Sequence, residues 1–206
     1  MANVLSPYGL RPVNLIGGQS FNGGSMREYL LPSNVAAAYF TGALIQIAQN
    51  GVPTPMAATP TTSTVGLVGV CVGVRYTDPT LKYTVFAQTL ASGAYTAGFR
   101  DIYIRVCDDP DQLYSIQADT AVGTRTNGAL GCLGQNCPVK TFTGSATTGL
   151  SATALDTGAN WGTPATTSTF AMRIVDILTP NDVYPEVLVK INQGVHSYYS
   201  STGVAT

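Results

Sequence analysis

The chain has 206 residues; 45% are hydrophobic and only 10% are charged, against about 25% in an average soluble domain. Ten Lys and Arg against eleven Asp and Glu leave a formal net charge of −1. That balance provides no basic face to neutralise phosphates, so direct nucleic-acid binding is excluded, and so is a highly charged disordered tail.

A surface so poor in ions has little electrostatic protection against self-association, which points to a domain covered by other chains. The alternative is a secreted domain kept soluble by hydroxyls and amides. The length suits one all-β domain. The longest apolar run, Val65 to Val74, is about half of the roughly 20 residues that a spanning helix needs, so no membrane is expected as a partner. The opening MANVLSPYGLRPV lacks the basic start and apolar stretch of a signal peptide, so synthesis in a cytoplasm is expected.

Good helix formers are scarce: the glutamates are Glu28 and Glu186 alone, and the lysines Lys82, Lys140 and Lys190. Residues 1–24, rich in Gly and Asn, read as an extended N-terminal arm. Ser25 to Leu31 reads as a strand stopped by Pro32. The best helical candidate is one turn around Asn34 to Phe40, capped by Ser33. Ala43 to Ala48 alternates, with Leu44 and Gln46 on one face and Ile45 and Ile47 on the other, before an Asn50-Gly51 turn. Residues 51–64 form a long loop. Val65 to Tyr76 reads as a central strand; Gly66, Gly69 and Gly73 admit a bulge or the close approach of another backbone. Leu81 to Gln88 pairs back as a hairpin.

Asp101 to Cys107 sets Ile102, Ile104 and Val106 against Tyr103, Arg105 and Cys107. The run Asp108 to Asp111 then turns the chain, and Gln112 to Ala118 returns. Pro138 to Thr143 is a strand, and a Thr/Ala/Gly loop follows at about 144–168, containing the lone Trp161. Thr169 to Leu178 and Val183 to Asn192 form a hairpin through Thr179 to Asp182, with Pro185 marking an edge or a bulge. Residues 194–206 read as a tail. The expected fold is an antiparallel β-sandwich or barrel, with a single β domain over 25–193.

Catalytic signatures are missing. The only histidine, His196, has no local carboxylate or nucleophile to work with, and there is no Gly-x-Ser-x-Gly elbow and no phosphate loop. Asp108, Asp109 and Asp111 lack the spacing of a calcium loop and read as a solvated turn. Asp101, Asp176 and Glu186 lie in or beside separate strands, where sequence alone brings no two together for acid–base work. No enzyme, cofactor or metal is expected. Cys71 and Cys107 read as buried apolar residues. Cys132 and Cys137, in GCLGQNCP, have the spacing for a short-loop disulfide, which a cytoplasmic origin argues against.

Four blocks carry a resemblance. The opening NVLSPYGLRPV, the run VGLVGVCVGVRYTDP with LKYTVFAQTL, the segment IYIRVCDDPDQLYSIQADTAVG and the late RIVDILTPNDVYPEVLVKIN resemble, in that order, the head decoration (cement) proteins of tailed bacteriophages. The resemblance implies a virion structural protein on the exterior of the phage head, made in the host cytoplasm. It would be β-rich, bound to the major capsid protein and to its own copies, commonly as a trimer, with no catalytic residues. The arm would then supply interface residues. Pro7 and Pro12 would stiffen it, Tyr8 and Leu10 would anchor it, and Arg11 would pair with a neighbour's carboxylate. Deleting residues 2–12 is accordingly expected to leave the β-core folded. A different class, a carbohydrate-binding β-sandwich using exposed Tyr and Trp161, stays open beside it.

Overall fold

The computed structural model describes residues 4–19, 26–48, 50–56, 66–122, 132–158 and 163–200. Among these the protein is all-β, without a helix. One sheet has five strands, in the order β1 (Arg11–Leu15), β10 (Gln112–Gln117), β15 (Glu186–Ile191), β14 (Met172–Ile177) and β11 (Asn136–Cys137). The other runs β2 (Met26–Leu30), β9 (Arg100–Cys107), β6 (Leu67–Thr77), β4 (Leu44–Ile47) and β5 (Pro53–Pro55), and β7 (Thr84–Ala87) pairs with the far end of β6. Two short ladders complete the set: β3 (Tyr39–Phe40) with β8 (Thr89–Leu90), and β12 (Val139–Phe142) with β13 (Ala152–Leu155). The strand pairs are antiparallel and neither large sheet closes on itself, so the architecture is a sandwich and not a barrel.

The sandwich has two cores. Between the sheets, Leu44, Leu67, Val70 and Cys107 meet Tyr114, Ile116, Met172, Ile174, Val187 and Val189. On the opposite face of the larger sheet, Ile45, Val68, Cys71, Val74, Ile102, Ile104 and Val106 are closed over by Leu31, Tyr39, Leu90 and Ala94. This explains why β4 and β6 are apolar on both faces. Leu44 enters the first core and Ile45 the second. A strand covered on both sides reads as a continuous apolar run, because neither face gains from polar groups.

The glycines of β6 have the role anticipated for them. A Cβ on Gly69 would stand 2.0 Å from the carbonyl oxygen of Cys107 on β9. The register of β6 shifts against β4 between Ile45 and Gln46, and against β9 between Cys71 and Gly73, so the strand is bulged.

Several expectations are corrected. Asn34 to Phe40 forms no helix; Tyr39 and Phe40 pair in β3, where the β-propensity of aromatics prevails. Gln112 to Ala118 does not return along Asp101 to Cys107. β9 belongs to the six-stranded sheet and β10 to the five-stranded one, so the acidic turn carries the chain from one sheet to the other. The stretch 144–168 contains a strand, β13, and the loop 51–64 opens with β5; residues 57–64 and Trp161 lie outside the described residues. The segment 1–24 contains the edge strand β1. The main core includes Leu10 and Val195, so the packed unit is wider than 25–193 at both ends.

Gly69→Ala is expected to destabilise the fold by about 2 kcal/mol or more, since backbone and not a flexible side chain blocks the new methyl. Gly17→Ala, which meets nothing within 4 Å, is expected to stay within about 0.5 kcal/mol of the parent in urea denaturation.

Candidate interaction surfaces

The residues predicted to form an arm lie on the chain's own domain. Leu10 is 1% exposed inside the main core, and its N–H donates to the Gly42 carbonyl at 2.9 Å. Gly9 makes this close passage possible: with φ +82, any Cβ there would lie 2.3 Å from Ser151 Oγ and 2.7 Å from Gly42 O. Arg11 and Pro12 pair with Ser115 and Tyr114 of β10. The Tyr8 hydroxyl donates to Glu186 Oε1 at 3.0 Å, and the Arg11 guanidinium stands 3.9 Å from the Tyr8 ring centre. Burial raises the Tyr8 pKa, with the Glu186 carboxylate adding to the rise and Ser115 and Arg11 opposing it. Pro7 lines a cleft of about 400 Å³ with Ser6, Tyr8, Arg11, Thr143 and Ser145. Leu10 and Tyr8 are thus anchors, but anchors onto β10, β15 and the Gly42 turn.

A different surface is left open. Cross-strand register places Phe86 of β7 opposite Arg75 of β6, Arg75 opposite Tyr103 of β9, and Tyr103 opposite Leu30 of β2. Lateral neighbours in a pleated sheet point to the same side, so these four form one row across four strands. In β9, Tyr103 and Arg105 share their side with Cys107, which lies in the core between the sheets. The row is therefore an overhang: among the described residues the larger sheet continues past its partner, with Phe86 and Leu30 exposed at the two ends of the row and Arg75 and Tyr103 half-buried between them. Phe86 is 66% exposed and Leu30 57%. Arg75 stacks on Tyr103 with its guanidinium carbon 3.8 Å from the ring centre, and its Nε lies 2.8 Å from Glu28 Oε2. Arg105 stands 4.0 Å from Glu28 Oε1. A shallow depression of about 240 Å³, lined by Val72, Gly73, Phe86 and Arg105, adjoins the row. Sequence reasoning missed this site because each of the four side chains looks unremarkable in its own strand. Only the inter-strand register brings them together.

The acidic turn is not simply solvated. Asp108 is 7% exposed; its Oδ2 accepts from the hydroxyls of Tyr198 at 2.7 Å and Tyr29 at 3.0 Å, and lies 3.1 Å from Arg27 Nε. Asp111 Oδ1 accepts from Lys190 Nζ at 2.6 Å. Asp109 Oδ1 accepts the Asp111 N–H. Each carboxylate is turned to a separate structural partner. Among the described residues no three His, Cys, Asp or Glu side chains are grouped to hold a metal ion. Asp101 accepts from Thr77 Oγ1, Asp176 caps the Ile177 N–H, and Glu186 takes the Tyr8 hydroxyl, so these three carboxylates have separate partners as well.

The segment predicted to be a tail is packed as far as residue 200. His196 is fully buried and bridges Leu67 of β6 in parallel register. Its Nδ1 accepts the Tyr198 N–H at 3.1 Å, while Nε2 has no partner among the described residues. Burial lowers its pKa, against the pull of the Asp108 carboxylate. The disulfide considered for Cys132 and Cys137 is not formed. Both thiols are free and buried; Cys132 Sγ donates to the Val122 carbonyl and Cys137 Sγ to the Asp156 carbonyl, each at 2.9 Å. Burial pushes the thiols of Cys71 and Cys107 up to about 11, which keeps them protonated at neutral pH.

Comparison with protein-family models, curated proteins and solved structures finds no match to this chain.

Two outcomes follow from these placements. Removing residues 2–12 takes Leu10 out of the core and Arg11–Pro12 off β10, so the truncation is expected to destabilise the domain, contrary to the arm expectation; Leu10→Ala alone is expected to cost about 2–5 kcal/mol by denaturant titration. The single histidine gives one imidazole resonance to follow by NMR, and its titration midpoint in the folded chain is expected below 6.5. The unfolded chain takes up this proton first as pH falls. The His196 contribution to stability is therefore complete above the unfolded pKa of about 6.5 and is lost as pH falls through the folded one.

Proposed function

We propose that the chain is a head decoration protein of a tailed-phage particle. After synthesis in the host cytoplasm it binds the major capsid protein on the outside of the shell and packs against its own copies, as a trimer. Its chemistry is burial and not turnover. The observation that carries this reading is the overhanging face, with Phe86, Arg75, Tyr103 and Leu30 in one row on a rigid sheet. Tyr and Arg are enriched among the side chains that dominate protein–protein contacts, and Phe adds apolar area that a partner removes from water. A clamp needs only modest affinity per contact, because each is repeated around a closed lattice. A standard interface of about 800 Å² per partner, at about 25 cal/mol per Å² of apolar area, opposes the pressure of packaged DNA at every site. The low charge supports the same reading, since desolvating a surface with few ions costs little.

A second reading, glycan binding, rests on the cleft of about 400 Å³ beside Tyr8, where Thr143, Ser145 and Thr148 offer hydroxyls. Arg11 stacks on the Tyr8 ring and so competes for the face that a sugar would use. Competable binding on a glycan array that is lost in Tyr8→Ala would favour this second reading.

Purified particles provide the main test. The protein is expected to co-purify with them, and its gentle removal to lower their heat stability; absence from the particle, or release without that loss, contradicts the proposal. Phe86→Asp is expected to leave the fold intact and to reduce occupancy on the particle about tenfold or more, the 1.4 kcal/mol or greater of a central aromatic anchor.

A further inference from the structure

We propose that the folded chain joins Lys140 to Asp119 by an amide bond between their side chains, with Asp156 as the proton carrier. The three residues converge from neighbouring strands. Lys140 on β12 stands opposite Ala154 on β13, and Asp156 lies two residues beyond Ala154, its N–H bonded to the Pro138 carbonyl. The end of β10 supplies Asp119: Ala118 bridges Leu155, and the Asp119 N–H donates to the Leu155 carbonyl at 3.0 Å.

The Asp119 carboxylate has two different sides. Oδ1 accepts from the Thr157 N–H at 2.9 Å and from Thr157 Oγ1 at 3.3 Å. Oδ2 faces Lys140 Nζ at 3.9 Å. The Asp119 side chain is 6% exposed and that of Lys140 25%, so the pair is largely shielded from water. Asp156 is 0% exposed and neither of its oxygens has a hydrogen-bond partner among the described residues. A buried carboxyl group without a partner is costly, and a fold that served only packing would replace it. Burial, then the Asp119 charge, push Asp156 up to about 6, while Lys140 and the Gly158 N–H, which falls short of hydrogen-bond geometry, draw it down. It can therefore hold a proton close to neutral pH.

The step balances. The Lys140 ammonium gives one proton to Asp119 Oδ2, and the freed Nζ lone pair attacks Asp119 Cγ. The new C–N bond sends an electron pair to Oδ1, where the Thr157 N–H receives it as a donor of an oxyanion hole would. The Thr157 hydroxyl, whose proton in the resting fold also has the Thr120 carbonyl at 2.9 Å, can turn to join it. Asp156 in its acid form protonates Oδ2, the Cγ–Oδ2 bond breaks, and water leaves as the carbonyl re-forms. Asp156 then takes back one proton from Nζ. The net change is the loss of one water, with no oxidant or second reactant. The fold supplies the proximity that such a condensation otherwise lacks, and it replaces a shielded ion pair by a neutral amide. A covalent tie between β12 and the end of β10 would toughen the domain against force.

Intact-mass spectrometry of the denatured full chain, purified after folding and held at neutral pH, tests this. The expected mass is one water below that of the linear sequence, and proteolysis should yield one branched peptide holding both Lys140 and Asp119. Lys140→Arg and Asp156→Ala are expected at their full masses. A wild-type chain at full mass overturns the proposal, as does a water loss that fragmentation places elsewhere. The wild-type measurement decides the bond even if a variant fails to fold. A folded Asp156→Ala that still loses the water overturns the role given to Asp156.

Discussion

The fold depends on one crossing, where the chain leaves the six-stranded sheet at Cys107 and enters the five-stranded sheet at Gln112. The Cys107 carbonyl accepts the hydroxyl of the buried Tyr114 at 3.0 Å, and it leaves room on β6 for no residue larger than Gly69. Asp108 follows at once and accepts from Tyr29 and Tyr198 beside its Arg27 contact; Asp111 closes the turn on Lys190. Residues from both sheets and from the C-terminal segment thus meet within a few positions. A buried carboxylate is tolerated here because its lone pairs are filled by hydroxyls and a guanidinium. With a neutral side chain there, the two tyrosine hydroxyls would lose a charged acceptor.

The crossing also sets the exposed surface. β9 has eight residues, but only its end lies over the second sheet, because the chain turns away at Asp108. The earlier part of β9, with the paired ends of β2, β6 and β7, runs on past the second sheet, without a cover on that side among the described residues. The opposite side of the same strands is sealed by Leu31, Tyr39, Leu90 and Ala94. The overhang is therefore rigid from behind and open in front. That is favourable for binding, since little conformational entropy remains to be lost when a partner arrives.

Much of the strand pattern was legible in the sequence, and the pairing much less so. Ile102, Ile104 and Val106 alternate cleanly, and the β14–β15 hairpin is marked by its Thr179 to Asp182 turn, so local periodicity identified both. The same logic misplaced β10, because an acidic turn between two strands looks identical whether the second strand pairs with the first or crosses to another sheet. β13, ATAL, carries too little apolar signal to stand out from its Thr/Ala surroundings; it is fixed by pairing with β12. Composition marks 1–24 as an arm and does not show that Leu10 enters the chain's own core, because that burial depends on the contact of Gly9 with Gly42. Of the residues predicted for an interface arm, Tyr8, Leu10, Arg11 and Pro12 make contacts with their own domain, which the sequence pattern did not indicate.

The same internal use of charge bears on why the surface is so bare. Arg27, Arg75, Arg105, Lys140 and Lys190 each stand within 4.0 Å of a carboxylate of this chain. Each pair orients a strand, a turn or a neighbouring aromatic ring, and because Arg75 and Arg105 share Glu28 the five pairs engage nine ions. Even where these ions reach the surface, as Arg27 does, they stand against a carboxylate, and the rest of the surface is poor in charge. Hydroxyls and amides keep such a surface wetted, yet they yield their water at modest cost when another sheet or loop is pressed against them. These paired charges hold strands and turns in register, and what remains outside, such as Phe86 and Leu30, is suited to being covered.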